Sequence, residues 1–145
     1  MATILVLEEA VGEITSPLNK LLSDELPGHN IVAAHEAWRM IEVFAELKAR
    51  GVAVAAVVLC SAAYESGDVV RELRFNADKE LRFPGPMVAV VADAKSQGLF
   101  SAYGCLTATK DDGAENNVTM VLREALGGTR REAAPAKPAT EAVFA

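Results

Sequence analysis

The sequence predicts a doubly wound α/β domain built on a parallel sheet. Three observations carry that expectation. Five short apolar runs alternate with segments of helical periodicity over residues 1–128. The third run, Val52 to Leu59, is almost entirely small or β-branched, the composition of a strand covered on both faces. The first run, Ile4-Leu5-Val6-Leu7, stops abruptly at the adjacent carboxylates Glu8 and Glu9. That is the end of a strand where open α/β sheets place a ligand crevice.

The elements follow in order. The first strand spans about Thr3 to Leu7. Ser16 is placed to cap the first helix, with Pro17 at its first helical position. Leu18, Leu21 and Leu22 give that helix one apolar face, and Pro27-Gly28 ends it. Asn30 to Ala34 is a short second strand. Trp38, Ile41, Phe44 and Leu47 recur at helical spacing, and Gly51 stops the second helix. Trp38 is expected as a core or edge anchor; exposed, it would be a docking feature. A loop from Ser61 to Gly67 follows the third strand, and Asp68 is placed to cap a third helix carrying Val69, Val70 and Leu73. Phe83-Pro84-Gly85-Pro86 is a rigid turn before a fourth strand from Met87 to Ala92. Asp93 to Tyr103 holds a short helix at most, interrupted at Gly98. Cys105 to Thr109 is the fifth strand. Asp112 and Glu115 approximate a capping box for the last helix. Its buried face is Val118, Val121, Leu122 and Ala125, and Gly127-Gly128 ends it.

Five strand–helix repeats imply the strand order 2-1-3-4-5, the flavodoxin-like arrangement, here with a shortened fourth helix. The domain is expected over 1–128. The remainder, 129–145, is rich in Ala and Pro and reads as a disordered tail. Its end, Glu141-Ala142-Val143-Phe144-Ala145, is read as a solvated end in preference to a docking peptide or protease tag.

Composition narrows the function classes. No apolar run is long enough to span a bilayer, and the start lacks a basic segment followed by an apolar one, so no membrane role and a cytoplasmic location are expected. A net charge of -6 with scattered Lys and Arg argues against nucleic acid as a partner. Cys60 and Cys105 lack metal-ligand spacing and read as small buried hydrophobes. His29 and His35 flank the second strand with no second ligand at useful spacing, and are expected to face solvent or to cap. Glu8 to Gly12 lacks the glycine spacing of a dinucleotide site.

Laid out this way, residues 2–128 resemble the receiver domain of two-component response regulators, the CheY-like family. Glu8 and Glu9 fall where that family has its acidic pair for magnesium. Lys110 falls where it has its switch lysine, and Ala92-Asp93-Ala94-Lys95 is similar to the segment after its fourth strand. Tyr103 precedes the fifth strand, so the family's switch aromatic is not mapped onto it. The departures are specific. In Val57-Val58-Leu59-Cys60-Ser61, Cys60 holds the place of the phosphoacceptor aspartate. Val91 replaces the hydroxyl residue that ends the fourth strand, and Asp111 replaces the proline after the lysine.

Phosphoryl transfer to a receiver needs a carboxylate nucleophile, a Mg²⁺ held by oxygen ligands, and a lysine and a hydroxyl for the remaining phosphoryl oxygens. Glu8 and Glu9 keep acidic ligands, each with one extra methylene, and Lys110 keeps its charge. The nucleophile and the hydroxyl are gone. A thiolate is poorly matched to Mg²⁺, and beside two carboxylates Cys60 is expected to remain a thiol. Strand alternation turns Ser61 away from its neighbour's direction. What remains is a weak or vestigial Mg²⁺ site, with no other cofactor, or a structural pairing of Lys110 with Glu8 or Glu9.

The resemblance therefore implies a non-enzymatic, stand-alone pseudo-receiver in two-component or phosphorelay signalling. It would act by protein contact with a kinase or effector, or with a second copy of the chain. The segment Lys95 to Gly104 and the helix around Val118 to Leu126 form the candidate interface, with Ala102, Tyr103, Val118 and Leu122 as its residues. Two alternatives stay open: a small-molecule or nucleotide sensor using the same crevice, and a true phosphoacceptor whose nucleophile is Asp68 or Asp93.

Overall fold

The five apolar runs become five parallel strands: β1 (Ala2–Leu7), β2 (His29–Ala34), β3 (Val54–Leu59), β4 (Met87–Val91) and β5 (Leu106–Thr109). They form one sheet in the order β2-β1-β3-β4-β5. Between and after them run α1 (Thr15–Glu25), α2 (Ala37–Ala49), α3 (Ala63–Phe75), α4 (Ala94–Ala102) and α5 (Ala114–Ala125), with a single 3-10 turn at Lys79–Leu81. This computed structural model describes residues 2–8, 15–60, 63–110 and 113–126. Expectations resting on Glu9, Ser61, Asp111, Asp112, Gly127-Gly128 and 129–145 lie outside the described residues.

Strand alternation divides the core in two. Leu5, Leu7, Val57, Leu59, Ala89 and Val91 pack with Met40, Phe44, Leu73 and Phe100 from α2, α3 and α4. Ile4, Val6, Ala56, Val58, Val88 and Val90 pack with Leu18 and Leu22 of α1 and Val118 and Leu122 of α5. The central strands are therefore apolar on both faces, as a parallel sheet covered by helices requires. Each fully buried Leu or Phe contributes about 1.5–3 kcal/mol. No helix among the described residues is long and apolar enough to cross a membrane.

Several element boundaries differ from the sequence expectation. Ser16 lies inside α1 and is not its cap, although Pro17 stays in the first turn. Asp68 lies within α3, whose first residue is Ala63, and pairs with Arg71 one turn on. Gly98 does not interrupt α4. Asp93 caps that helix by accepting from the Ser96 N–H at 2.7 Å, and Phe100 is buried in the core. Together these outweigh a glycine cost of about 1 kcal/mol. α4 is nevertheless short, at 9 residues against 13 for α3. Gly113, at φ +84°, stands at the N-cap of α5.

The buried stripe of α2 is Ala37, Met40, Phe44 and Leu47, so Trp38 is no core anchor. Trp38 precedes Phe44 by six residues, about 120° around the helix from the stripe, and is 60% exposed. Gly51, at φ +73°, ends the turn after α2 in the left-handed conformation expected of a stop signal.

Candidate functional site at the carboxyl edge of the sheet

Parallel register brings the resembling residues to one edge. Leu7 pairs with Ala34 and with Leu59, and Val91 pairs with Thr109. The next residue along each strand therefore stands at the carboxyl edge. The Glu8 N–H donates to Ala34 O at 2.8 Å, the Cys60 N–H to Leu7 O at 2.9 Å and the Lys110 N–H to Val91 O at 2.8 Å. Backbone ladders thus hold Glu8, Cys60 and Lys110 in place.

Their side chains do not converge. Glu8 Oε1 lies 3.0 Å from His35 Nε2, and the Glu8 side chain is 19% exposed. Lys110 is exposed and forms no ion pair with Glu8. The spacing explains this: β1 and β5 are three inter-strand steps apart, about 14 Å at the usual 4.8 Å per step. The pairing expected between Lys110 and Glu8 is absent. Its alternative through Glu9 lies outside the described residues.

Cys60 directly follows β3 and is buried among Ile4, Val6, Val58 and Val118 on the α1 and α5 side. Cys105 is buried on the other side, and burial pushes its thiol pKa up, with Arg74 opposing. Val91 is buried and presents only methyl groups. No group of three or more His, Cys, Asp or Glu side chains able to hold a metal occurs among the described residues. Glu8 with His35 is one carboxylate and one imidazole, unlike the oxygen-rich set that Mg²⁺ takes.

A cavity of about 270 Å³ opens beside Lys110, lined by Val91, Ala92, Asp93, Gln97 and Thr109. Asp93 is committed to capping α4. The Ser96 hydrogen bonds hold its carboxyl below the ordinary aspartate value, with a smaller contribution from Lys95. The Thr109 hydroxyl, on the register partner of Val91, accepts from Asn117 Nδ2 at 3.0 Å. Three features of this edge carry no sequence motif: the partner of His35, Thr109 and Gln97. His35 faces solvent as expected, at 77% exposed, and its pairing with Glu8 is the part the sequence does not signal. Thr109 and Gln97 carried no motif; the only signal was the position of Thr109 beside Lys110 at a strand end.

The expected interface needs correction. Val118 and Leu122 are fully buried and cannot contact a partner. They are the inward stripe of α5, and the outward positions of that helix include Met120, at 57% exposed. Ala102 is exposed, and Tyr103 is half-buried edge-on against Phe75, with ring centroids 6.1 Å apart. Leu99 on α4 and Leu106 on β5 are also exposed.

Comparison with known proteins adds one finding. No family model and no curated protein matches the chain. The crystal structure of a CheY-like protein, TadZ, from Pseudomonas aeruginosa is similar, with a TM-score of 0.56 at 19% identity over 95% of this chain and 99% of that one. An identity this low speaks to the fold alone. With five parallel strands in the order 2-1-3-4-5 and five helices, the chain has the CheY-like receiver fold.

Proposed function

We propose that this chain is a receiver-like signalling protein that works by contact with another protein and is not phosphorylated at the receiver's usual place. The observation that supports this most is Cys60. It directly follows β3, is 2% exposed and belongs to the buried cluster on the α1 and α5 side. Sulfur there offers no carboxylate oxygen to phosphorus. The alternative nucleophiles are engaged elsewhere: Asp93 caps α4, and Asp68 pairs with Arg71 within α3.

The contact surface is assigned to the outward faces of α4, β5 and α5. Leu99, Leu106 and Met120 carry exposed apolar side chains on those three elements. Both α4 and α5 contact β5, so the proposed surface runs over the β5 edge of the sheet and uses these side chains. Val118 and Leu122 support it from inside. The test replaces Leu106 and Met120 by Asp and measures partner capture by cross-linking in the native cell. Loss of capture with an unchanged Tm is expected; undiminished capture overturns the assignment.

A second reading, a small-ligand sensor, draws on the cavity beside Lys110. A rise in Tm with nucleotides that disappears in Lys110→Ala would favour it over the contact reading.

A further inference from the structure

The amino-terminal edge of the sheet, opposite the site above, carries a second cavity of about 440 Å³. That volume lies in the range of small-molecule sites, about 300–1,000 Å³. Its apolar lining is Val52 and Val54, both partly exposed, backed by the buried rings of Phe44 and Phe83, which meet edge to face with centroids 6.0 Å apart. Its rim is cationic, with Lys48 from α2 and Arg82 from the segment after the 3-10 turn. No carboxylate lines it. Among the described residues neither Lys48 nor Arg82 takes part in an ion pair, in a chain of net charge -6.

The walls are held in place. Arg74 donates to Phe83 O at 2.7 Å and to Gly85 O at 2.9 Å, and the Phe83 N–H donates to Leu73 O. Arg82 Nε donates to Asn76 O at 2.7 Å, which anchors the base of the guanidinium. Gly85 approaches the Phe83 ring so closely that a Cβ there would sit 2.6 Å from the ring tip. Glycine at this position lets the backbone lie against the ring.

An apolar floor below two cations without anionic partners is complementary to one ligand class. We propose that this cavity binds a small amphipathic anion, an aryl or alkyl carboxylate, whose apolar body covers Val52 and Val54 and whose carboxylate meets Lys48 and Arg82. Charge-assisted hydrogen bonds to the carboxylate supply the selectivity. The site lies at the opposite edge from Cys60 and Lys110, so it is independent of the proposed signalling function.

The test titrates the full chain with phenylbutyrate and with its neutral amide, following backbone amide shifts by NMR. Saturable shifts confined to Phe44, Val52, Val54 and Phe83 are expected, with the amide weaker by about tenfold. The double substitution Lys48→Ala and Arg82→Ala should remove that preference while the spectrum stays that of the folded chain, with a lower Tm and shifts near Asn76 from the lost Arg82 hydrogen bond. Equal affinity for acid and amide, shifts centred elsewhere, or no saturable binding at millimolar ligand would overturn the proposal. A preference that persists in the double variant would overturn it as well.

Discussion

Glu8 at the end of β1 is joined to His35, with Oε1 3.0 Å from Nε2. The two residues directly follow the register pair Leu7 and Ala34 on neighbouring strands, so their backbones are about 5 Å apart. Lys110 stands three strands away. The Glu8 carboxylate is thus drawn toward the β2 edge, and the cation at the β5 edge is left facing its own cavity.

Glu8→Gln should accordingly move the His35 imidazole resonances and leave those of the Lys110 side chain in place. Side-chain NMR of both groups checks this. A displaced Lys110 signal with an unmoved His35 would mean that Glu8 pairs across the sheet after all.

Val118 and Leu122 belong to the core. Leu122→Ala should lower stability by about 2–5 kcal/mol, as measured by urea unfolding, through lost burial and the cavity left behind. Met120→Ala, on the outward side of the same helix, should change it by no more than about 0.5 kcal/mol.

Arg74 connects three backbone segments, donating to Phe83 O, Gly85 O and, at 3.3 Å, Gly104 O. Arg74→Ala should cost about 1.5–3 kcal/mol in urea unfolding. Arg74→Lys should recover only part of that loss, because an ammonium cannot reproduce the guanidinium fork.

The Asp93 cap carries a pH signature. Hydrogen bonds from Ser96 lower the folded-state pKa, so its stabilisation is present above the ordinary aspartate pKa and is lost as pH falls through the folded value. Asp93→Asn keeps a capping oxygen that does not titrate. The wild type should lead this variant in Tm above about pH 4 and converge with it in stronger acid. Scanning calorimetry across that range would show a constant difference if the cap did not titrate.

The strand order was legible because period and composition agree: buried runs such as Val54–Leu59 admit few alternatives. Helix starts were less legible. Asp68 has the chemistry of a cap, yet α3 begins five residues earlier and buries Val69, Val70 and Leu73 with it inside. Gly98 reads locally as a breaker, whereas Asp93 and Phe100 carry α4 past it. At the candidate site, backbone positions were predictable from register, as Glu8, Cys60 and Lys110 show. Side-chain partners were not. The pairing of Glu8 with His35 depends on which strands are neighbours and on distances across the sheet. Val118 and Leu122 were correctly placed on the buried stripe of α5, and for that reason could not also serve as its outer surface.

The absence of a phosphoacceptor at Cys60 is tested most directly by intact-mass spectrometry of the full chain after incubation with acetyl phosphate and Mg²⁺. The account predicts an unmodified mass, for the wild type and for Cys60→Ala alike. A stoichiometric phosphoryl adduct that hydroxylamine removes would contradict it.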